Sequence, residues 1–385
     1  MAGRGPLSGI TVVDLTRILA GPYCTFLMAE MGARVIKVEP PGKGDDAREY
    51  GPFLEGKSTY FSSINRGKES IALDLKAAAD KRIFEALLER ADVVVENFRP
   101  GTMEKLGYGW ETLHSRYPKL IYAAASGFGH SGPMSREPAY DMVVQGLGGV
   151  MSITGHPGQP PVRIGMSIGD LGAGLYTAVA VNAALLHRER TGEATKIDVA
   201  MFDCQLALLE NAIMRYTVTG DVPGPLGARH PSITPFEAFL TGDGAMIIAA
   251  GNDGLWLKLC AVLNRPDLAA DPAYKTNDLR NRNEPKLKSE IEKELRAKPT
   301  AAWIEIIGKA GIPCGPINNV AQALAHPQVA ARNMLVTVED PVSGTLKLAG
   351  NPLKFSACAD PPTRAPAPEL DGDRQKLLRE LNIEG

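Results

Sequence analysis

The first third of the chain alternates between short apolar runs and longer helical patterns, and this alternation limits the possible folds more than any other feature. Strands are expected at Gly9–Leu15, Arg34–Glu39, Ser70–Leu75, Ala91–Glu96 and Lys119–Ala125. Helices are expected between them at Pro22–Met31 and Ala77–Arg90, and helical turns at Met103–Arg116. Strands that alternate with helices form a mostly parallel sheet covered by helices. The chain is therefore predicted to have an α/β fold.

The loops that follow these strands form the expected ligand site. Open sheets of this kind bind ligands beyond the carboxyl ends of their strands. The loops are rich in glycine, proline or polar residues and comprise Thr16–Pro22, Pro40–Arg48, Asn97–Gly101 and Ser126–Gly132.

The chain is long enough for two domains. Its 385 residues exceed the size, about 250–300 residues, at which a single core stops growing. A Gly/Pro-rich connector, Thr219–Arg229, is followed by Pro235–Leu240 and Ala245–Ala250, which read as a β-hairpin. We therefore expect a second domain to begin near this connector.

Composition excludes several classes of function. The 42 Lys and Arg against 44 Asp and Glu give a net charge of −2, which argues against binding to nucleic acid or to an anionic membrane. The five cysteines are scattered, which favours reduced thiols and a cytoplasmic protein, although a trimmed form in the mitochondrial matrix would look the same. The six histidines never fall four residues apart, so no metal is expected. No apolar run of about 18 residues suggests a membrane span.

Asp170 lies in a glycine-rich segment, between Gly169 and Gly172, just before the long apolar run Leu175–Leu186. Glycine lets a ligand approach the main chain closely, so this carboxylate is a candidate nucleophile. Aspartate is also a preferred N-cap of helices. The residues by themselves leave both interpretations open.

Two motifs indicate other functions. Gly127–Gly132 fits the dinucleotide pattern G-x-G-x-x-G, but Pro133 and Pro138 interrupt the helix that would have to receive the pyrophosphate. Gly165–Gly169 fits the nucleophile elbow G-x-S-x-G of serine hydrolases, with His230 and His326 downstream. That elbow requires a strong strand before the serine, and the sequence offers only a short one. A glycine-lined turn is the favoured interpretation there.

Motifs spread over nearly the whole chain resemble the class III coenzyme A transferases. The segments that carry the likeness are Leu7–Arg17, Ala20–Pro22, Gly32–Pro41, Asn65–Lys68, Ser70–Lys76, Val95–Gly101, Gly169–Asp170 and Gly311–Asn318. A finer likeness, to the succinyl-CoA–glutarate CoA-transferases, is carried by Ala139–Asp141, Ser152–Gly155, Pro161–Arg163, His230–Ile233, Tyr274–Asn277 and Gly315–Asn319.

The resemblance implies a CoA-transferase that acts on carboxylic acids, with a dicarboxylate such as succinate as the favoured donor. Asp170 would attack an acyl-CoA thioester and pass through a mixed anhydride and an aspartyl-CoA thioester. With a reference pKa of ~3.9, an aspartate is ionised at neutral pH and needs no general base. Main-chain N–H groups near the glycines would stabilise the oxyanions. Coenzyme A is implied as a co-substrate, and no permanently bound cofactor is expected.

The resemblance also implies a set of binding residues. Ile18, Leu19 and Ala20 would lie beside CoA and Asp170. Positions that hold the adenosine and phosphate parts of CoA fall on Pro40, Leu73, Lys76, Asn97, Phe98, Arg99 and Lys105. Formyl-CoA transferase has a glutamine at the position of Leu19, so formate and oxalate specificity is placed in doubt. It also has an arginine at the position of Pro40, for which Lys43 would compensate.

Tyr140 and Asp141 match positions near the acyl group. The related 2-methylacyl-CoA racemases have a histidine at the position of Tyr140, so a two-base racemase is disfavoured. Arg163 and His230 would receive the distal carboxylate of a dicarboxylic acyl group, or Arg163 would form a structural ion pair and His230 lie in the connector. A protein that only binds acyl-CoA remains a third interpretation.

The fold implied by the resemblance is a Rossmann-like large domain built from both ends of the chain, plus a smaller α/β domain. The corresponding ranges are 1–218 for the first part of the large domain, 219–325 for the small domain with its connector, and 326–385 for the return to the large domain. Two subunits would interlock as a homodimer.

Overall fold

The computed structural model describes residues 5–383. The strands of this part, in chain order, are β1 (Thr11–Asp14), β2 (Arg34–Glu39), β3 (Phe53–Leu54), β4 (Lys57–Ser58), β5 (Glu69–Ala72), β6 (Val93–Glu96), β7 (Ile121–Ser126), β8 (Lys196–Ala200), β9 (Phe236–Leu240), β10 (Ala245–Ala249), β11 (Cys314–Pro316), β12 (Leu335–Asp340), β13 (Gly344–Ala349) and β14 (Thr363–Arg364).

The helices of the same part are α1 (Ala20–Glu30), α2 (Thr59–Asn65), α3 (Ala78–Leu88), α4 (Thr102–Leu106), α5 (Trp110–Arg116), α6 (Asp141–Leu147), α7 (Ile168–Thr191), α8 (Met201–Leu208), α9 (Asn211–Thr219), α10 (Asp253–Val262), α11 (Pro266–Ala270), α12 (Asn277–Arg282), α13 (Glu284–Leu295), α14 (Thr300–Lys309), α15 (Val320–Leu324), α16 (Pro327–Ala331) and α17 (Arg374–Leu381). Short 3₁₀ turns lie at Asp46–Glu49, Val150–Ile153 and Pro272–Tyr274.

The chain divides into two compact units. The first combines the described residues up to Ser152 with Arg163–Pro223 and the residues from Pro327 onward, and the second combines Ile153–Val162 with Gly224–His326. These units are defined by their internal contacts, so the ranges 1–218, 219–325 and 326–385 stay a prediction for independently folding domains.

A six-stranded parallel sheet forms the centre of the first unit, in the order β5-β2-β1-β6-β7-β8. Counted along the chain, this is the order 3-2-1-4-5-6 of doubly wound folds. Val12, Val13 and Val94 are fully buried, as expected for strands covered on both faces. The predicted α/β fold with a mostly parallel sheet is confirmed.

Helices cover both faces of this sheet. On one face, Phe84 and Leu87 of α3 pack with Leu377 and Leu378 of α17. On the other face, α1 and α7 supply the apolar side chains of the core, including Met28 and Val181.

The strand order changes direction between β1 and β6. From β1 the chain moves outward to β2 and β5, whereas β6 leads to β7 and β8 on the opposite side. The loops that leave β1 and β6 therefore diverge and open a crevice at the carboxyl edge of the sheet. This crevice is where a ligand is expected.

Helix α7 is long and apolar enough to cross a membrane by its length and composition alone, and no other described helix is. The expectation that no such stretch exists was therefore wrong for α7. Alanine, leucine and valine side chains make its sequence apolar without a charged residue between Leu171 and Leu186. The helix packs on α1 and on the central sheet. Core helices of other proteins can be equally long and apolar.

The second unit is built on the antiparallel sheet β11-β10-β9. β9 and β10 form the hairpin that the sequence predicts, closed by a hydrogen bond from the Thr241 N–H to the Gly244 carbonyl oxygen. Helices α10, α13 and α14 cover this sheet with Trp256, Ile291 and Trp303.

Helices α1 and α7 approach each other closely at Gly174. A Cβ atom on Gly174 would lie 2.7 Å from the Ala20 carbonyl oxygen and 3.0 Å from the Tyr23 Cβ atom. We expect Gly174→Val to lower the free energy of unfolding by about 1–3 kcal/mol, because α1 must move away from α7. Gly165→Val is the matched control: a Cβ atom there meets nothing within 4 Å, and a change within about 0.5 kcal/mol is expected. Urea unfolding measures both, and equal losses would contradict the close approach.

Candidate active site

A cavity of about 450 Å³ opens at the carboxyl edge of the sheet in the first unit. The loops after β1, β6 and β7 and the first turn of α7 form its walls. Its lining residues are Arg17, Ile18, Leu19, Ala20, Asn97, Phe98, Arg99, Pro100, Thr102, Ala125, Ser126, Gly127, Ser135, Glu137, Pro138, Ala139, Tyr140, Asp170 and Met201. The crevice between β1 and β6 therefore contains the cavity that holds Asp170.

Asp170 does not cap its helix. The N-cap position of α7 is Ser167, and Asp170 lies inside the first turn. Its carboxyl group makes no hydrogen bond or ion pair with any residue between positions 5 and 383. Both oxygens are therefore free to react with a ligand in the cavity.

Burial in this wall, followed by the nearby charge of Asp141, raises the pKa of Asp170 from its ordinary 3.8 to about 7. The sequence-based expectation of a fully ionised aspartate at neutral pH is therefore corrected. The carboxylate form is harder to reach than that of an ordinary aspartate. That carboxylate is more basic than an ordinary one, and its charge is less well solvated.

Asp141 hydrogen-bonds to the first turn of α7. Its Oδ1 atom accepts a hydrogen bond of 2.8 Å from the Gly169 N–H, and its Oδ2 atom accepts one of 2.8 Å from the Gln145 side chain. An Arg163 nitrogen lies 3.8 Å from Oδ2. Asp141 is buried and is absent from the lining of the cavity. It therefore acts on Asp170 through its charge and through the backbone of Gly169.

The loop after β6 forms the opposite wall. The Asn97 side chain accepts a hydrogen bond from the Arg17 N–H and donates one to the Arg17 carbonyl oxygen, each 2.8 Å long. The Phe98 N–H donates to the Glu96 carboxyl group at 2.6 Å. Burial raises the pKa of Glu96 to about 7. The polar atoms of Asn97 are thus hydrogen-bonded to the loop after β1, while Phe98 and Arg99 line the cavity.

The structure brings together the predicted residues Ile18, Leu19, Ala20, Asn97, Phe98, Arg99, Tyr140 and Asp170. The predicted residues Pro40, Lys76, Lys105 and Arg163 are exposed outside this lining. The Leu73 side chain is buried in the core beneath the sheet edge. His230 belongs to the second unit, where its ring stacks on Phe236 and its Nδ1 atom accepts a hydrogen bond from the Ser232 N–H.

Several residues of this region were missed by sequence reasoning. Thr102, Ser135, Glu137 and Met201 line the cavity without belonging to a recognisable motif. Burial, followed by the charge of Asp170, raises the pKa of Tyr60 to about 12. Tyr60 lies on α2, and no periodicity or spacing in the sequence connects it with Asp170. Its hydroxyl group keeps its proton and can act as a donor.

The two competing motifs do not form their sites. In the first, the His130 N–H donates to the Asp198 carboxylate and the Gly129 N–H to the Ser126 hydroxyl, so a pyrophosphate would have to displace these acceptors. In the second, a loop and not a strand leads into Ser167, and the His230 Nδ1 atom accepts a hydrogen bond from the Ser232 N–H. Within the same part of the chain, no cluster of three or more His, Cys, Asp or Glu side chains could hold a metal.

Comparisons with known proteins agree with the geometry. A family model described as CoA-transferase family III matches residues 7–374. An acetyl-CoA:oxalate CoA-transferase of Acetobacter aceti is 46% identical over 98% of this chain and 96% of its own length. A succinate–glutarate CoA-transferase of Agrobacterium fabrum is 39% identical over 98% and 96%. The crystal structure of a CaiB/BaiF family protein from Brucella suis, 38% identical, superposes with a TM-score of 0.84 over 98% of this chain and 100% of that one.

The raised pKa of Asp170 has a consequence for stability. Between the ordinary value of 3.8 and about 7 the folded protein binds more protons at this group than the unfolded chain does. Its contribution to stability is therefore lost as the pH rises through this interval. We expect Asp170→Asn to be more stable than the wild type at about pH 8, and the difference to shrink towards about pH 4.

Urea unfolding at fixed protein concentration over this pH range measures the difference. The exposed residue Asp278 of α12 supplies the control Asp278→Asn, for which no such trend is expected. A difference for Asp170→Asn that does not change with pH would contradict a raised pKa.

Proposed function

The chain belongs to CoA-transferase family III, and we propose that it moves CoA from a dicarboxylic acyl-CoA to a free dicarboxylate through acylation of Asp170. One observation carries the proposal. Asp170 is a carboxyl group without hydrogen-bond partners in the described chain, in the wall of a cavity of about 450 Å³, with its pKa raised to about 7. A structural aspartate would have its oxygens occupied.

In each step of the first half of the reaction, one bond forms and another breaks. An Asp170 oxygen attacks the thioester carbonyl carbon, and the C–S bond breaks with its electron pair on the CoA sulfur. The CoA thiolate then attacks the carbonyl carbon of Asp170 in the resulting anhydride. The donor acid leaves with one oxygen that came from Asp170, and CoA is held as an aspartyl thioester.

The second half reverses these steps with the acceptor. A carboxylate oxygen of the acceptor attacks the aspartyl-CoA carbonyl carbon and releases the thiolate. The thiolate attacks the acceptor's own carbonyl carbon in the second anhydride. Asp170 is regenerated with one oxygen from the acceptor, and the energy of the thioester is retained.

The tetrahedral oxyanions of these steps need donors. The Gly169 N–H is engaged by Asp141 at 2.8 Å, so it is a poor candidate for this role. The Tyr60 hydroxyl, which keeps its proton and is influenced by the charge of Asp170, is a better one.

The loop after β6 supports a role in CoA binding. Phe98 and Arg99 offer an aromatic face and a positive charge to the nucleotide, and Asn97 fixes the loop that carries them. The exposed side chains of Lys76 and Lys105, with Pro40 and the backbone of Leu73, would bind the phosphates and adenosine from outside the cavity.

For the substrate acids, Arg163 and His230 remain our proposed partners of a distal carboxylate. Arg163 is exposed and has an Asp141 oxygen 3.8 Å away, so a substrate carboxylate would have to share it with Asp141. The relatives that use oxalate and glutarate support a dicarboxylate in general. Oxalate therefore stays among the candidates despite Leu19.

We propose that the active protein is a homodimer, interlocked as the family resemblance implies. Helices α6 to α9 expose large apolar side chains, among them Met142, Leu147, Val179, Leu186, Met214, Tyr216 and Val218. Monomeric proteins rarely expose so many along consecutive helices. A second subunit would cover them.

A racemase would need a second base opposite Asp170. No histidine between positions 5 and 383 lines the cavity, and Tyr140 occupies the position at which a racemase would carry one. This observation supports transfer over racemisation.

We expect succinyl-CoA to form a covalent adduct on Asp170, detected by mass spectrometry of the peptide after hydroxylamine treatment. Asp170→Asn should lose turnover by at least about a thousandfold yet still bind CoA in calorimetry. Asp278→Asn, the same change on the surface of α12, should keep both the adduct and the turnover. An unmodified wild-type protein across a panel of mono- and dicarboxylic acyl-CoA thioesters would contradict the proposal.

The pH profile of acylation tests the influence of Asp141. The rate should fall as the pH drops below about 7, because the attacking carboxylate becomes protonated. Asp141→Asn removes the negative charge that disfavours ionisation of Asp170, so the acidic limb should move to lower pH. Single-turnover adduct formation at a series of pH values measures this shift. A limb that stays in place or moves to higher pH would show that Asp141 does not raise the pKa.

A further inference from the structure

We propose that Lys37 and Asp45 are positioning residues that hold the turn Thr16–Ile18 in the one backbone conformation that shapes the wall beside Asp170. The inference rests on the proposed function and extends it to two residues outside the cavity. Neither residue appears in its lining.

The turn contains a strained residue. Ile18 has a φ of 69°, in the left-handed region that β-branched residues rarely adopt. Such a conformation persists only when the surrounding structure enforces it, and it is found often at functional sites. Some group must therefore hold Ile18.

Asp45 and Lys37 make the contacts that can do so. The Asp45 Oδ1 atom accepts a hydrogen bond of 2.9 Å from the Ile18 N–H. The Lys37 ammonium group donates to the Thr16 carbonyl oxygen at 2.7 Å and lies 2.8 Å from the Asp45 Oδ2 atom. Both side chains are fully buried. One ion pair thus fixes the turn at both of its ends.

The middle of the turn is fixed as well. The Arg17 N–H and carbonyl oxygen are both engaged by the Asn97 side chain. The Thr16 N–H donates to Asp14 at 2.9 Å, and Asp14 is paired in turn with the buried Lys68 at 3.0 Å. Every backbone N–H and carbonyl group from the Thr16 N–H to the Ile18 N–H is therefore hydrogen-bonded to a side chain.

The position of this turn affects the reactive group. Ile18, Leu19 and Ala20 line the same cavity as Asp170. The Ala20 carbonyl oxygen also lies against α7 at Gly174, one helical turn after Asp170. If Ile18 relaxes to an extended conformation, the wall against which a thioester must lie is displaced. Errors of about 1 Å in such a wall can cost about a hundredfold in rate.

A double-mutant cycle separates positioning from simple stabilisation. Asp45→Ala is combined with Ile18→Gly, which adopts a positive φ without strain, and with Ile18→Val, which is β-branched like isoleucine. The rate of adduct formation on Asp170 is measured in single turnovers with succinyl-CoA. We expect Asp45→Ala to slow acylation by at least about tenfold in the Ile18→Val background and by less than about threefold in the Ile18→Gly background.

Equal factors in the two backgrounds would overturn the proposal, since a stabilising ion pair would act regardless of residue 18. If Asp45→Ala does not fold, as judged by circular dichroism, Asp45→Asn replaces it: the side chain keeps its shape but loses the pair with Lys37. Its effect should be smaller and should follow the same pattern.

Amide hydrogen exchange of the peptide that spans the turn provides a readout without substrate. Loss of Asp45 should speed exchange at residues 16–20 in the Ile18→Val background, with the rest of the first unit unchanged. Uniformly faster exchange throughout the unit would indicate stabilisation only and would overturn the proposal. If the wild type forms no adduct, the proposed function fails, and the exchange experiment alone decides the role of Lys37 and Asp45.

Discussion

Burial beside a second carboxylate makes the ionisation of Asp170 costly, and the chemistry proposed for this chain depends on that cost. An ordinary surface aspartate is a weak nucleophile because water and hydrogen bonds stabilise its charge. The carboxyl of Asp170 has no hydrogen-bond donor in the described part of the chain, and burial and Asp141 raise its pKa to about 7. The group is therefore harder to ionise than an ordinary aspartate and is more basic when it is ionised. Asp141 has both effects: it raises the pKa through its charge and anchors the first turn of α7 through the Gly169 N–H.

The sheet explains why the cavity lies where it does. Strand order reverses between β1 and β6, so the two following loops separate, and α7 brings Asp170 to the gap between them. A buried ion pair hydrogen-bonds to the backbone of the loop after β1, on one side of this gap. Buried pairs contribute little net stability on average, because removing two charges from water costs about as much as their attraction returns. The Lys37–Asp45 pair is therefore better explained by the conformation it imposes on Ile18 than by stability.

Much of the fold followed from the sequence because apolar runs and helical patterns report burial directly. β2 and the hairpin β9–β10 lie where they were expected. The helical turns expected at Met103–Arg116 form two short helices, because Gly107 takes a φ of 91° and ends α4. In the site, eight of the fifteen residues implied by the resemblance line one cavity and seven lie outside its lining, whereas Tyr60 and Asp45 were not found. Tyr60 is influenced by the charge of Asp170, 110 residues away in the chain, and Asp45 bonds to Ile18, 27 residues away; a single sequence has no signal for such pairs.

The path of the carboxylate oxygens tests the central claim most directly. In the proposed reaction, each turnover exchanges one oxygen of Asp170 with the acceptor acid. The protein is incubated with an acyl-CoA donor and an acceptor dicarboxylate that carries a heavy oxygen isotope in its carboxylates, and the peptide containing Asp170 is then weighed by mass spectrometry. The account predicts the isotope in Asp170 and none in Asp141. Formation of the new acyl-CoA with no isotope in Asp170 would contradict it.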